Sequence, residues 1–315
     1  MAQPLKPPCL RPGDEIRVVS LSSPVKDDLL QKGCEELKQL GFAPMVDRAS
    51  VLACDGTFAG PHAARLAALK EALQDPGARA IFCSRGGYGA NYLLEGLGEI
   101  SGMPKILVGA SDITSLQVFL WQKFRWVTFY GPMIATNINR GAGATHGYDR
   151  ESLLRAVMET KQGWTLDLPG EPLVSGIAEG PLLGGCLTLV ETTLGTPWEL
   201  DTQGSILLLE DRGMKPYQVD RALMHLKQAG KLKGIVGIIL GDFPECEPPA
   251  GGEDVKAVAE RVLGSVGVPI VWGSPIGHTS RAALTLPLGV RARLTVAKNG
   301  AMPTQLEILE AACAP

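Results

Sequence analysis

The first half of the chain alternates short apolar runs with amphipathic ones, and this alternation restricts the possible folds more than any other feature. Ile16 to Leu21, Phe42 to Val46, Ala80 to Ser84 and Ile106 to Gly109 read as strands. Between them, Asp27 to Leu40 carries Leu29, Leu30, Gly33, Leu37 and Leu40 at helical spacing before Gly41, and Ala63 to Leu73 is a second helical stretch ending near Asp75-Pro76-Gly77. Strands that alternate with helices of this length imply a mostly parallel sheet covered on both faces. The expected class is α/β, with ligands at the carboxyl ends of the strands.

From about Asn137 to Ser175 the alternation is lost. A Gly/Asn-rich piece (Asn137 to Gly147), one helix (Arg150 to Glu159) and a Pro/Gly-rich exit (Leu168 to Pro172) follow one another. The expected division is an N-terminal α/β domain over 1–145, a linker over 146–175 and a C-terminal domain over 176–315. The second half opens with Gly184-Gly185 and a helical stretch to Leu194. Strands are expected at Ser205 to Leu209, Ile235 to Leu240 and Val268 to Trp272, and helices at Tyr217 to Ala229 and Asp254 to Leu263. The final pair, Ala292 to Val296 and Leu306 to Leu309, surrounds Asn299-Gly300, a hairpin signal.

Composition narrows the function. The 315 residues are 45% hydrophobic and 20% charged, enough for a substantial core and unlike a disordered chain. Thirty basic and 33 acidic residues are interleaved to a net charge of −3, so neither a nucleic acid nor an anionic membrane has a matching footprint, and a small-molecule partner is expected. Seven widely spaced cysteines, an odd number, read as reduced thiols. Residues 1–14 lack the apolar core of a signal peptide and no later stretch has the length of a membrane span, so a cytoplasmic location is expected. Neither Cys-x-x-Cys nor His-Glu-x-x-His spacing occurs, and no metal or other cofactor is expected.

Three places can carry chemistry. In Gly109-Ala-Ser-Asp-Ile-Thr114 the chain passes from an apolar strand into a helix, and a serine at such a turn projects its hydroxyl over the sheet edge while the next amide faces a developing oxyanion. Ser111 is therefore a candidate nucleophile; equally, Ser111 or Asp112 is a helix cap. Of four histidines, His62 precedes a helix, His146 lies in the irregular segment and His225 sits in a helix, whereas His278 follows the strand Val268 to Trp272 directly, beside Gly277. The run Ser205 to Leu209 ends in Glu210-Asp211, which either solvates a strand end or presents a carboxylate to a histidine base. The loop Ser84-Arg-Gly-Gly-Tyr-Gly89 follows another strand, and its glycines leave main-chain N–H groups uncovered for an anion or a carbonyl oxygen.

Taken together, these segments resemble the LD-carboxypeptidase family of serine peptidases, which includes the microcin C immunity proteins. The resemblance rests on Arg85-Gly-Gly-Tyr-Gly89, Gly109-Ala-Ser-Asp-Ile-Thr114, Tyr130-Gly-Pro-Met133 and Gly195-Thr-Pro197. It continues through Leu209-Glu-Asp211, Pro216-Tyr217, Asp220-Arg221, Gly241-Asp-Phe243, Gly277-His278 and Leu286-Pro-Leu-Gly289. It implies a flavodoxin-like N-terminal domain, a smaller β-rich α/β C-terminal domain and a homodimer. It also implies a triad of Ser111, His278 and Glu210, with an oxyanion hole from the amides of Asp112 and Gly86 or Gly87. The activity implied is removal of the terminal D-alanine from muropeptide tetrapeptides, with Arg85 as a candidate clamp for the free carboxylate and Tyr88 as a further substrate contact. Two departures are visible: Gly184-Gly-Cys186-Leu stands where the family usually has Gly-Gly-Asn-Leu, and Thr279 to Leu284 lacks an asparagine. The second activity of the family, hydrolysis of acyl-adenylate analogues, needs a stacking aromatic, for which the linker offers Trp164 and Tyr148. A non-catalytic ligand-binding protein is the remaining reading.

Overall fold

The computed structural model describes residues 3–100, 102–297 and 303–315. It divides into two compact units, one of Met1–Thr160, Arg281–Pro287 and Ala312–Pro315, the other of Lys161–Ser280 and Leu288–Ala311.

In the first unit the apolar runs form β1 (Glu15–Val19), β2 (Ala43–Met45), β3 (Ala78–Cys83), β4 (Ile106–Gly109) and β5 (Thr128–Tyr130). The neighbouring pairs β2–β1, β1–β3, β3–β4 and β4–β5 are all parallel, which gives the flavodoxin-like order β2-β1-β3-β4-β5. All four residues of β4 are buried, as expected of a strand with helices on both faces. The helices Asp27–Gln39 and His62–Gln74 match the amphipathic stretches read from sequence. A sixth strand, Leu286–Leu288, pairs with β5. It comes from far along the chain, as does the tail: the Cys9 amide donates to Ala314.

The second unit holds one eight-stranded mixed sheet. Its strands are β6 (Trp164–Asp167), β7 (Glu171–Val174), β8 (Gly176–Cys186), β9 (Ile206–Glu210), β10 (Gly237–Gly241) and β11 (Ile270–Ser274); Leu286–Leu288 counts as β12, and β13 (Arg291–Val296) and β14 (Gln305–Ile308) follow. The order is β6-β14-β13-β8-β9-β10-β11-β7, parallel from β8 to β11 and antiparallel on either side. Every residue of β9 and β10 is buried, so their side chains form the centre of this unit's core. The helix Val255–Leu263 starts where the Asp254 carboxylate accepts the Ala257 amide at 2.8 Å.

Several boundaries differ from the sequence reading. Residues 146–175 are not a free connection: the helix Arg150–Met158 belongs to the first unit, while β6 and β7 are edge strands of the second sheet. At four residues each, these strands are too short for an alternating pattern to register in the sequence. Residues 281–287 and 312–315, assigned by sequence to the second domain, pack within the first unit, since the chain returns there through β12 and the tail. Gly184-Gly185 does not open a helix. Both residues end β8, and a Cβ on Gly184 would lie 2.0 Å from the Leu208 carbonyl oxygen, so the missing side chain lets two strands close up. The helix that follows is only Leu187–Glu191. The antiparallel pairing of β13 with β14 is present, whereas the Asn299-Gly300 turn lies outside the described residues.

Candidate active site

The turn that carries Ser111 takes its shape from the strand before it. β4 ends at Gly109, Ala110 is still extended, and Ser111 then takes φ +60° at the start of a 3₁₀ turn leading into the helix Thr114–Phe124. A left-handed serine is disfavoured sterically, so the surroundings must hold it there. The Ser111 amide donates to the fully buried Tyr130 hydroxyl at 3.1 Å. A Cβ on Gly86 would lie 2.8 Å from the Ser111 Cβ and 3.0 Å from its Oγ, so the glycine loop passes directly against the serine. The structure assigns the N-cap positions here to Ala110 and Ile113, and the Asp112 carboxylate is engaged elsewhere, accepting from Ser22 Oγ at 2.6 Å and from the Ala90 amide at 2.7 Å.

The rest of the glycine loop is tied to Ser23. The Ser23 amide donates to the Gly86 carbonyl, and the Tyr88 amide donates to Ser23 Oγ at 3.2 Å. Gly87 has φ +112°, and a Cβ there would fall 2.3 Å from that same oxygen. Arg85 is half-buried; its Nη1 donates to the Pro24 carbonyl at 3.3 Å, and its Nε is buried without a hydrogen-bond partner among the described residues. The exposed Tyr88 ring joins Phe58, His62 and Tyr92 in an aromatic cluster. His62 therefore belongs to that cluster, and His225 pairs on the surface with Glu191.

In the second unit the acid and the imidazole meet. Glu210 ends β9 with its side chain wholly buried, and one oxygen, Oε2, accepts from both the His278 amide (2.9 Å) and the His278 Nδ1 (2.8 Å). Burying a carboxylate alone costs several kcal/mol, so these donors are what make the position tenable. Because an ionised carboxylate can only accept, this contact assigns the proton to Nδ1, and in the neutral imidazole Nε2 then keeps its lone pair. Gly277, at φ +66°, is what allows the approach: a Cβ there would sit 2.4 Å from the Glu210 Cδ. Burial by itself would lower the His278 pKa, but the charge and hydrogen bond of Glu210, with Asp211 behind it, outweigh burial and the net shift is upward.

Asp211 faces elsewhere. Its carboxylate accepts from the Thr188 amide at 2.8 Å and Thr188 Oγ1 at 2.7 Å, at the start of the Leu187–Glu191 helix. Cys186, where the family usually has asparagine, points its Sγ at the same oxygen at 3.5 Å. Burial, reinforced by the charges of Asp211 and Glu210, pushes that thiol pKa well up, so Cys186 is a neutral donor.

Sequence reasoning missed three contributors: Tyr130 as acceptor for the Ser111 amide, Ser22, and the side chain of Asp112. Tyr130 and Ser22 reach the Ser111 turn from distant positions, whereas Asp112 lies in the turn itself, where the sequence reading weighed only its main-chain amide and a capping role. Trp164 and Tyr148 are both buried; Tyr148 donates to Glu36 at 2.8 Å and Trp164 lies in β6.

Residues 16–131 match the LD-carboxypeptidase N-terminal domain and residues 179–294 the LD-carboxypeptidase C-terminal domain. The chain belongs to the LD-carboxypeptidase family. It is 36% identical over 302 residues to a probable murein peptide carboxypeptidase of Bacillus subtilis, covering 94% of this chain and 93% of that one. A murein tetrapeptide carboxypeptidase of Pseudomonas aeruginosa is 29% identical over 84% of this chain and 87% of its own length. Among solved structures, the muramoyltetrapeptide carboxypeptidase of Oxalobacter formigenes superposes with a TM-score of 0.81 at 30% identity, covering 93% of this chain and 98% of that one. The wild-type microcin self-immunity protein MccF superposes with a TM-score of 0.88 at 25% identity, over 99% and 100% of the two chains. The two-domain α/β fold and the serine-peptidase family implied by the motifs are thus those of this chain. Among the described residues no helix is long and apolar enough to cross a membrane.

Proposed function

We propose that this LD-carboxypeptidase removes the terminal D-alanine from muropeptide tetrapeptides, with Ser111 as nucleophile, His278 as its base and Glu210 as the carboxylate that orients the imidazole. The observation that carries the proposal is the bond from His278 Nδ1 to a fully buried Glu210, which leaves Nε2 as a free base of raised pKa. The strained φ of Ser111 supports the assignment of the nucleophile.

In this scheme His278 takes the hydroxyl proton as Ser111 Oγ attacks the carbonyl on the L-configured centre of the dibasic residue. The tetrahedral oxyanion receives N–H groups from Asp112 and from Gly86 or Gly87. The C–N bond then breaks, His278 hands its proton to the departing D-alanine amine, and the acyl-enzyme is hydrolysed by a water that His278 deprotonates. A carboxypeptidase must bind a free carboxylate, and Arg85, a half-buried cation on the glycine loop, is the proposed clamp. Tyr88, exposed on the same loop, is the proposed neighbouring contact. The proposed setting is a cytoplasmic homodimer, as composition and family resemblance suggest.

The likeness to MccF favours a second reading, hydrolysis of an acyl-sulfamoyl or acyl-phosphoramidate adenylate. The two aromatic side chains of the 146–175 stretch do not support it, because both are buried. The deciding experiment compares D-alanine release from L-Ala-D-Glu-mDAP-D-Ala with cleavage of a processed microcin analogue, for wild type and Ser111→Ala. Wild-type turnover of the tetrapeptide that disappears in Ser111→Ala is expected. Cleavage of the analogue alone replaces the substrate assignment, and ligand binding without turnover or fluorophosphonate labelling replaces the enzymatic one.

A further inference from the structure

Asp112 enters the mechanism above only through its main-chain amide, yet its side chain is one of the most deeply buried charges of the first unit, at 1% exposure. Its carboxylate collects donors from two other segments: Ser22 Oγ at 2.6 Å, from the turn after β1, and the Ala90 amide at 2.7 Å, from the far end of the glycine loop, with the Gly89 amide adding to these. Burial pushes its pKa up, and these hydrogen bonds together with the charge of Arg65 oppose that shift.

Arg65 is the second such charge, also 1% exposed, and it has no place in the mechanism. Its guanidinium donates to the Gly89 carbonyl at 2.8 Å, the Gly60 carbonyl at 3.2 Å and the Leu21 carbonyl, and it meets His62 Nδ1. The two side chains therefore hold the same places from opposite charge: Gly89 and Ala90 at one end of the glycine loop, and Leu21 and Ser22 in the turn beneath it. The other end of that loop carries Gly86, which lies against Ser111. Burying a carboxylate costs several kcal/mol, and here that cost is offset by donors from two segments that the side chain thereby holds together.

We propose that Asp112 and Arg65 are positioning residues that set the spacing between the nucleophile turn and the Gly86-Gly87 amides, and so the geometry of the oxyanion hole; the proposal rests on Ser111 being the nucleophile. Loosening the anchor lets the loop amides drift from the developing oxyanion. The ground-state carbonyl needs those amides least, so the loss falls on the chemical step rather than on substrate binding. A displacement of about 1 Å in such a site costs on the order of 10²-fold in rate.

The test uses the full chain with Asp112→Asn, Arg65→Lys and the milder Ser22→Ala, which removes a single donor to Asp112. Three quantities are measured: the melting temperature, kcat and KM for the tetrapeptide, and the second-order rate of Ser111 labelling by a fluorophosphonate. Labelling also passes through the oxyanion hole but does not depend on which peptide is the substrate. Asp112→Asn and Arg65→Lys are expected to lower kcat and the labelling rate by about 10²-fold with KM within threefold. Ser22→Ala is expected to lower both rates about tenfold and to fold with a lowered melting temperature, since it strips one donor from a buried carboxylate. Folded variants whose labelling rate equals wild type, or whose loss lies wholly in KM, overturn the proposal; where the first two variants do not fold, Ser22→Ala decides it. Wild-type protein that labels at Ser111 without cleaving the tetrapeptide overturns the substrate assignment alone, and the labelling rates then judge the anchor.

Discussion

Glu210→Gln isolates one charge. The His278 amide and Nδ1 both donate to a single carboxylate oxygen, at 2.9 and 2.8 Å. A glutamine carbonyl placed there can accept both, so the ring keeps its orientation while the negative charge is lost. The charges of the carboxylate–imidazolium pair are centred about 4 Å apart and attract by about 4 kcal/mol at an effective dielectric of about 20. That is worth about 10³-fold in a step whose transition state carries an imidazolium. kcat for D-alanine release is therefore expected to fall about 10³-fold, with KM little changed. If the amide nitrogen turns toward the ring instead, the wrong tautomer deepens the loss toward about 10⁴-fold. The pH profile gives an independent sign. The base must be neutral, so wild-type kcat/KM is lost as pH falls through a His278 pKa that lies above the ordinary histidine value. Glu210→Gln removes the main raising influence and leaves burial, which lowers the pKa, so the acid limb should move to lower pH. A folded Glu210→Gln protein within tenfold of wild-type kcat, with its acid limb unmoved, would refute the role given to Glu210.

Gly277→Ala places a Cβ 2.4 Å from the Glu210 Cδ at a residue with φ +66°; chemical denaturation should show a loss of about 2 kcal/mol or more, accompanied by reduced kcat. Gly86→Ala puts a methyl group 2.8 Å from the Ser111 Cβ and 3.0 Å from its Oγ, and the fluorophosphonate labelling rate should fall about 10²-fold. Tyr130→Phe takes the acceptor from the Ser111 amide in a fully buried position, for which melting should register about 1–3 kcal/mol. His225→Ala removes an exposed pairing with Glu191; stability within about 0.5 kcal/mol of wild type and full activity are expected.

The sequence reading was most successful where local periodicity carried the information. β4 and the helix from Asp27 to Gln39 lie within a residue of their expected limits, because an apolar run between polar turns and an amphipathic stripe each report the environment of their own element. It was least successful at sheet edges. The edge strands β6 and β7 have only four residues each, too short for a period-two pattern to stand out, and β7 has no buried residue. The site divided along the same line. Ser111, Glu210 and His278, the proposed triad, each stand at or just after a strand end, a place that local sequence marks, whereas the contacts of Asp112, Ser22 and Tyr130, and those of Arg65 with Leu21 and Gly89, join residues 19 to 90 positions apart.

What the amino-acid order determined by itself is the list of elements and the residues at their ends, since helix, strand and turn preferences act over a few neighbours. Which carboxylate faces the imidazole was decided only in three dimensions. Glu210 and Asp211 are adjacent and chemically alike, but Glu210 is the last residue of β9 and Asp211 the first beyond it, and their side chains diverge. One therefore reaches His278 across Gly277, while the other turns to Thr188 and Cys186. The first unit followed the same rule: only the folded chain brings Ser22, Arg65 and Ala90 around Asp112, because burial of that carboxylate is tolerable only where distant donors converge on it.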